Sequence, residues 1–75
     1  MAVLCQQLID GEAIDPEYEI APPGPGMSDA DILVVKAASA ADKGWDVEWL
    51  SDTEFVARMV RWSPDVLCER IFRIA

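Results

Sequence analysis

Residues 45–62 read Trp45-Asp46-Val47-Glu48-Trp49-Leu50, then Ser51-Asp52-Thr53, then Glu54-Phe55-Val56-Ala57-Arg58-Met59-Val60-Arg61-Trp62. The first run alternates. Trp45, Val47 and Trp49 share one parity; Asp46 and Glu48 share the other. Two-residue periodicity with polar groups on one side is the pattern of a half-buried strand. Ser51-Asp52-Thr53 supplies turn chemistry. The second run puts Phe55, Ala57 and Met59 on one face and Val56, Arg58, Val60 and Trp62 on the other. Both faces carry large apolar groups, so that strand is expected to be central or covered twice. The two runs predict a β-hairpin.

Upstream, Ser28 opens a predicted helix that reaches Lys43. Ser28 is a capping residue, and Asp29 and Asp31 suit the positive end of the helix. Gly44 fits the left-handed stop position. Leu33, Ala37, Ala40 and Ala41, with Val34 and Ala38 beside them, predict a smooth face for a sheet to lie against. Before the helix, Ala21-Pro22-Pro23-Gly24-Pro25-Gly26-Met27 is a Pro/Gly-rich linker, 21–27, within a single domain spanning 1–75.

The N-terminal segment has two readings. Met1, Leu4, Cys5, Leu8 and Ile9 fit one helical face. Asp10-Gly11 is a two-residue hairpin signal, followed by Ile14, Tyr18 and Ile20 against Asp15, Glu17 and Glu19 in alternation. The hairpin, roughly 2–9 and 13–20, is the expectation, with Pro16 limiting its second arm to an edge. The C-terminal segment also has two. After Ser63-Pro64-Asp65, residues Leu67, Cys68, Ile71, Phe72 and Ile74 share a helical face, opposite Asp65, Glu69, Arg70 and Arg73. The helical pattern is the cleaner one and is expected over 64–74; a third strand beside 54–62 is the alternative. The fold class is α+β, one helix on an antiparallel sheet.

The chain has 75 residues, 52% of them hydrophobic, and a net charge of -8. It is too apolar for wholesale disorder. Its apolar runs, such as Ile32-Leu33-Val34-Val35, fall far short of a membrane span. Residues 1–57 hold twelve acids against Lys36 and Lys43, whereas 58–75 hold four arginines against Asp65 and Glu69. The tail is expected to attract the acidic remainder, within one chain or between two. An apolar surplus in so small a chain predicts a homodimer or a partner-binding face. No basic start with an apolar stretch precedes a small-residue cleavage site, and Cys5 and Cys68 read as reduced core thiols, so a cytoplasmic protein is expected.

Catalytic chemistry has little to work with. Histidine is absent, so neither cysteine has its usual base. Two cysteines cannot close a zinc site. No phosphate-cradling GxxxxGK[ST] loop occurs. A domain this small leaves little room for a pocket. No enzyme activity, metal or cofactor is expected.

Three functional expectations follow. In size and charge the chain is similar to the small acidic proteins with which phages and mobile elements inhibit their host's machinery. That likeness implies a non-enzymatic interaction protein whose acidic face meets a basic, nucleic-acid-binding partner surface. Glu17, Glu19, Asp46, Glu48, Asp52 and Glu54 are the candidate contacts, with Trp49, Trp62, Arg58 and Arg61 as an aromatic and basic alternative. The second expectation is a structural or assembly subunit that pairs strands 45–62 with its own copies. The third is a nucleic-acid binder through Arg58, Arg61, Arg70 and Arg73, which the net charge disfavours.

Overall fold

The hairpin over 45–62 forms the outer half of the sheet. In a computed structural model that describes residues 2–22, 24–61 and 66–75, β4 (Asp46–Ser51) turns at Asp52-Thr53 into β5 (Glu54–Arg61). The Ser51 hydroxyl accepts the Thr53 amide at 3.2 Å and fixes that turn. Trp62 and the Ser63-Pro64-Asp65 segment lie outside the described residues, as do the side chains of Val60 and Arg61.

The N-terminal hairpin also forms. β1 (Val3–Ile9) turns at Asp10 and Gly11, both with positive φ, 51° and 84°. That pair of conformations matches the right-handed twist of the flanking strands. The returning arm is broken into β2 (Glu12–Ala13) and β3 (Tyr18–Glu19), both against the outer edge of β1. Pro16 lies in the gap, where no ladder amide is needed.

The C-terminal segment is not a helix. Residues 66–74 form β6 (Val66–Ile74), which pairs along its length with β5 on one side and with β1 on the other. The sheet order is β2-β1-β6-β5-β4, all antiparallel, with β3 on β1 beside β2. β6 is central and apolar on both faces. Leu67 and Ile71 point one way, and Cys68, Phe72 and Ile74 the other. Those residues fall at spacings that imitate a helical stripe, which is why the periodicity misleads. The ends of the chain meet through Ala2 and Ala75, whose amides bond each other's carbonyls at 3.2 and 2.9 Å.

One helix, α1 (Asp29–Asp42), lies on one face of the sheet. The Ser28 hydroxyl accepts the Asp31 amide at 3.1 Å. Gly44, with φ 90°, follows the last turn. Ile32, Leu33 and Ala37 are the buried helical residues. The stripe is rotated from the expected one. Val34, Val35, Ala38 and Ala41 face outward, and Ile32 takes their place inside.

On the α1 side a row of registered side chains crosses five strands, with Phe55, Phe72 and Cys5 in the buried core and the exposed Trp49 and Tyr18 at its ends. The Phe55 and Phe72 rings stack at 4.8 Å between centroids, and Trp49 tilts against Phe55 at 5.0 Å. Aromatic pairs at this separation add to the burial term. The opposite face carries no covering element among the described residues.

Candidate functional site

Alternation and register sort the charged residues onto two sides of the sheet. On the uncovered face three rows cross it. The first sets Glu54, Arg73, Leu4 and Glu19 side by side; the second Glu48, Val56, Ile71 and Gln6; the third Asp46, Arg58, Glu69 and Leu8. Two charged rows thus flank a row whose centre is apolar. Val56 is buried, yet it does not belong to the core beneath α1. Its neighbours on this face are Glu48 and Ile71 across the ladder and Glu54 and Arg58 along β5; the methylene stems of long charged side chains can cover apolar surface while their heads stay wet.

The charges of that face are linked. Arg58 donates through Nη1 to Glu48 Oε1 at 2.6 Å and through Nε to Glu69 Oε2 at 2.9 Å. One guanidinium therefore ties β4, β5 and β6 together. Arg73 donates through Nε and Nη2 to both carboxylate oxygens of Glu17, each at 2.7 Å. This fork is the geometry in which arginine binds a carboxylate best. It holds the Glu17 carboxyl below the usual carboxylate range and raises Arg73. Hydrogen bonds to Glu48 and then Glu69 likewise raise Arg58. The arginine-rich tail attracts the acidic body within one chain.

The six expected acidic contacts separate accordingly. Glu19, Asp46, Glu48 and Glu54 share the uncovered face, and Asp52 sits at the tip of the β4–β5 hairpin. Glu17 and Glu48 are engaged by arginines of their own chain. Glu69, which the alternation argument left out because 64–74 was read as a helix, belongs to the same face. Trp49 is 45% exposed but stands on the helix side, at the edge of the core row. Of the alternative aromatic and basic set, Trp62 and the Arg61 side chain lie outside the described residues.

The expected arginine quartet does not assemble. Arg58 and Arg73 lie on the uncovered face in ion pairs. Arg70 lies on the other face, its guanidinium 5.0 Å from the centroid of the Trp45 ring. There it lines a cleft of about 170 Å³ between α1 and the sheet, together with Lys36, Lys43, Trp45, Tyr18 and Ser39. The expectation of little room for a pocket is corrected to that extent. Ala57 and Phe72 of the sheet and Ala40 of α1 also line it.

The Cys5 thiol is buried on the same side of the sheet. Burial pushes Cys5 up, against smaller opposing effects of Tyr18, Arg70 and Lys36. The Tyr18 hydroxyl is raised, first by its hydrogen bond with Cys5, and it accepts from Gln7 Nε2 at 3.3 Å. Among the described residues no three Cys, Asp or Glu side chains gather as metal ligands, and no helix is long and apolar enough to cross a membrane.

Comparison with known protein families, characterised proteins and solved structures finds no match to this chain.

Proposed function

We propose that the chain is a non-enzymatic interaction protein whose uncovered sheet face meets a basic, nucleic-acid-binding surface of a partner protein. The observation that carries this reading is the gathering, among the described residues, of six carboxylates, Glu17, Glu19, Asp46, Glu48, Glu54 and Glu69, with two arginines, Arg58 and Arg73, on one face. Matched potentials speed encounter and select partners more than they add affinity. The working contacts are Glu19, Asp46, Glu54 and the hairpin-tip Asp52. Glu17, Glu48 and Glu69 stiffen the face through their arginines. The free thiols of Cys5 and Cys68 suit a reducing, cytoplasmic setting. An inhibitor encoded by a phage or mobile element has this kind of design.

Self-assembly through β4 is the second reading, supported by exposed Trp49 and Leu50 on a strand that ends the sheet. It ranks lower on physical grounds. An antiparallel copy centred on Glu48 sets two carboxylates opposite each other, which is unfavourable. The irregularity between Trp49 and Ser51, with acidic neighbours, is how edge strands resist such pairing.

The test uses the variant Glu19→Lys, Asp46→Lys and Asp52→Lys, which moves the net charge from -8 to -2 without touching the ion pairs. Immobilised wild type and variant are challenged with lysate of the source cells at low and high salt. A partner held by the wild type, released by added duplex DNA or by salt, and lost from the variant supports the reading. Equal retention by the variant overturns it. A wild type that sediments as a dimer and retains nothing else favours self-assembly.

A further inference from the structure

The chain has only six cationic side chains. Of the five described, Arg58 and Arg73 are tied to carboxylates on the uncovered face. The other three, Lys36, Lys43 and Arg70, come from a helix and a strand far apart in sequence. All three line the one cleft between α1 and the sheet. Among the described residues none of the three has a carboxylate partner within ion-pair distance. In a protein with 14 acidic residues, three cations converging without a carboxylate is not what an ordinary solvated surface produces.

We propose that this cleft binds a compact small molecule bearing a phosphate group. A phosphate monoester carries about −1.5 to −2 charges and three strong acceptor oxygens. Three cations with the hydroxyls of Tyr18 and Ser39 match that demand better than a lone carboxylate would. Arg70 is the planar donor that suits phosphate. Its approach to the Trp45 ring holds it in place before the ligand arrives. Lys43 stands at the C-terminal end of α1, where it offsets the partial negative charge of the helix and keeps the cleft cationic.

Size and charge select against larger anions. The volume of about 170 Å³ is below the roughly 300 Å³ at which drug-sized pockets begin. A compact anion feels chiefly the cations within ~8–10 Å, the screening length near physiological salt. A nucleic-acid strand extends beyond that distance and meets the acidic remainder. The flank at Trp45 leaves apolar surface for a short organic stem.

The experiment is a two-dimensional NMR titration of the full chain with inorganic phosphate, with O-phosphoserine, with sodium chloride at matched ionic strength, and with a single-stranded oligonucleotide. Saturable shifts at Tyr18, Ser39, Lys43 and the Trp45 indole with phosphate and phosphoserine, and not with chloride, are expected. Tighter binding of phosphoserine identifies an ester as the ligand; equal binding identifies phosphate itself. Arg70→Gln is expected to weaken binding about tenfold, the effect of removing one charge-assisted partner. Lys36→Gln with Lys43→Gln lies on the exposed helix surface and carries the same test if Arg70→Gln does not fold. Shifts that chloride reproduces, binding unchanged in both variants, or an oligonucleotide that binds the cleft as well as phosphoserine does would overturn the proposal.

Discussion

Phe55 and Val56 are neighbours in β5, both buried, and they are buried by different means. Phe55 stacks between Trp49 and Phe72 beneath α1, in a core assembled from helix and sheet. Val56 faces the side where, among the described residues, no element lies, between Glu48 and Ile71 across the ladder and next to Arg58 of the ion-pair network along β5. One face of this sheet is covered by a helix; the other, among the described residues, carries side chains alone. The comparison teaches where the cations had to go. On the uncovered face they are committed to carboxylates that roof the sheet; on the helix side they remain available to a ligand.

The largest break in that comparison is Phe55→Ala. It removes the middle of the aromatic row and is expected to cost about 3–5 kcal/mol. A core of this size rarely supplies more than about that much. Loss of the cooperative thermal transition, followed by circular dichroism, is the expected outcome. Val56→Ala removes two buried carbons from the other face, a loss of about 1.5 kcal/mol at ~0.8 kcal/mol per methylene. The variant should keep its transition at a lower midpoint. A cost equal to that of Phe55→Ala would mean that the charged roof is as tight as the helix.

A smaller effect separates the two cysteines. Cys5 is wholly buried under the helix, whereas Cys68 is only partly covered. Iodoacetamide should label Cys68 first. Ser28→Ala deletes the helix cap and is expected to cost ~1 kcal/mol. Where Cys5 is reached by opening of that helix, its labelling should rise about fivefold, while Cys68 changes little. Equal labelling of the two thiols in the wild type would contradict the sealed face.

The smallest effect belongs to the Glu17–Arg73 pair, which is exposed. The folded Glu17 carboxyl is held below its ordinary value. Its contribution is therefore complete above the usual carboxylate range and is lost as pH falls through the lowered value. Glu17→Gln should lower the melting midpoint slightly at neutral pH, and the gap should close in acid. A gap that widens in acid would show that the pair is not formed in the folded state.

Local patterns were legible. Asp10-Gly11 and Ser51-Asp52-Thr53 announced their turns, because few residues accept those backbone angles or supply that local hydrogen bond. Ser28 announced its cap. The alternation over 46–49 and 55–58 placed those side chains on the faces that the register gives them; it did not reach the irregularity at Leu50. The C-terminal strand was legible only as the alternative to a helix: the strand beside 54–62 is the one that forms. A central strand with apolar groups on both faces can be apolar at i, i+1, i+4 and i+5, as Leu67, Cys68, Ile71 and Phe72 are, and a helix shows the same spacing. The rotated stripe on α1 has a related cause, since Val34 and Ile32 are chemically alike and only the position of the sheet chooses between them.

The sequence by itself determined which segments turn, where the helix begins, and how acids and apolar groups alternate along β4 and β5. Those features depend on neighbours within a few residues, where the backbone's own geometry enforces the outcome. Only the tertiary structure decided that β6 runs between β1 and β5, joining the first strand to the last. That pairing sets Arg58 against Glu48 and Glu69, binds Arg73 to Glu17, and brings Arg70 under α1 beside Lys36 and Lys43. Each is a contact between residues distant in the chain. Such contacts are fixed by the register of a central strand, which no local pattern specifies.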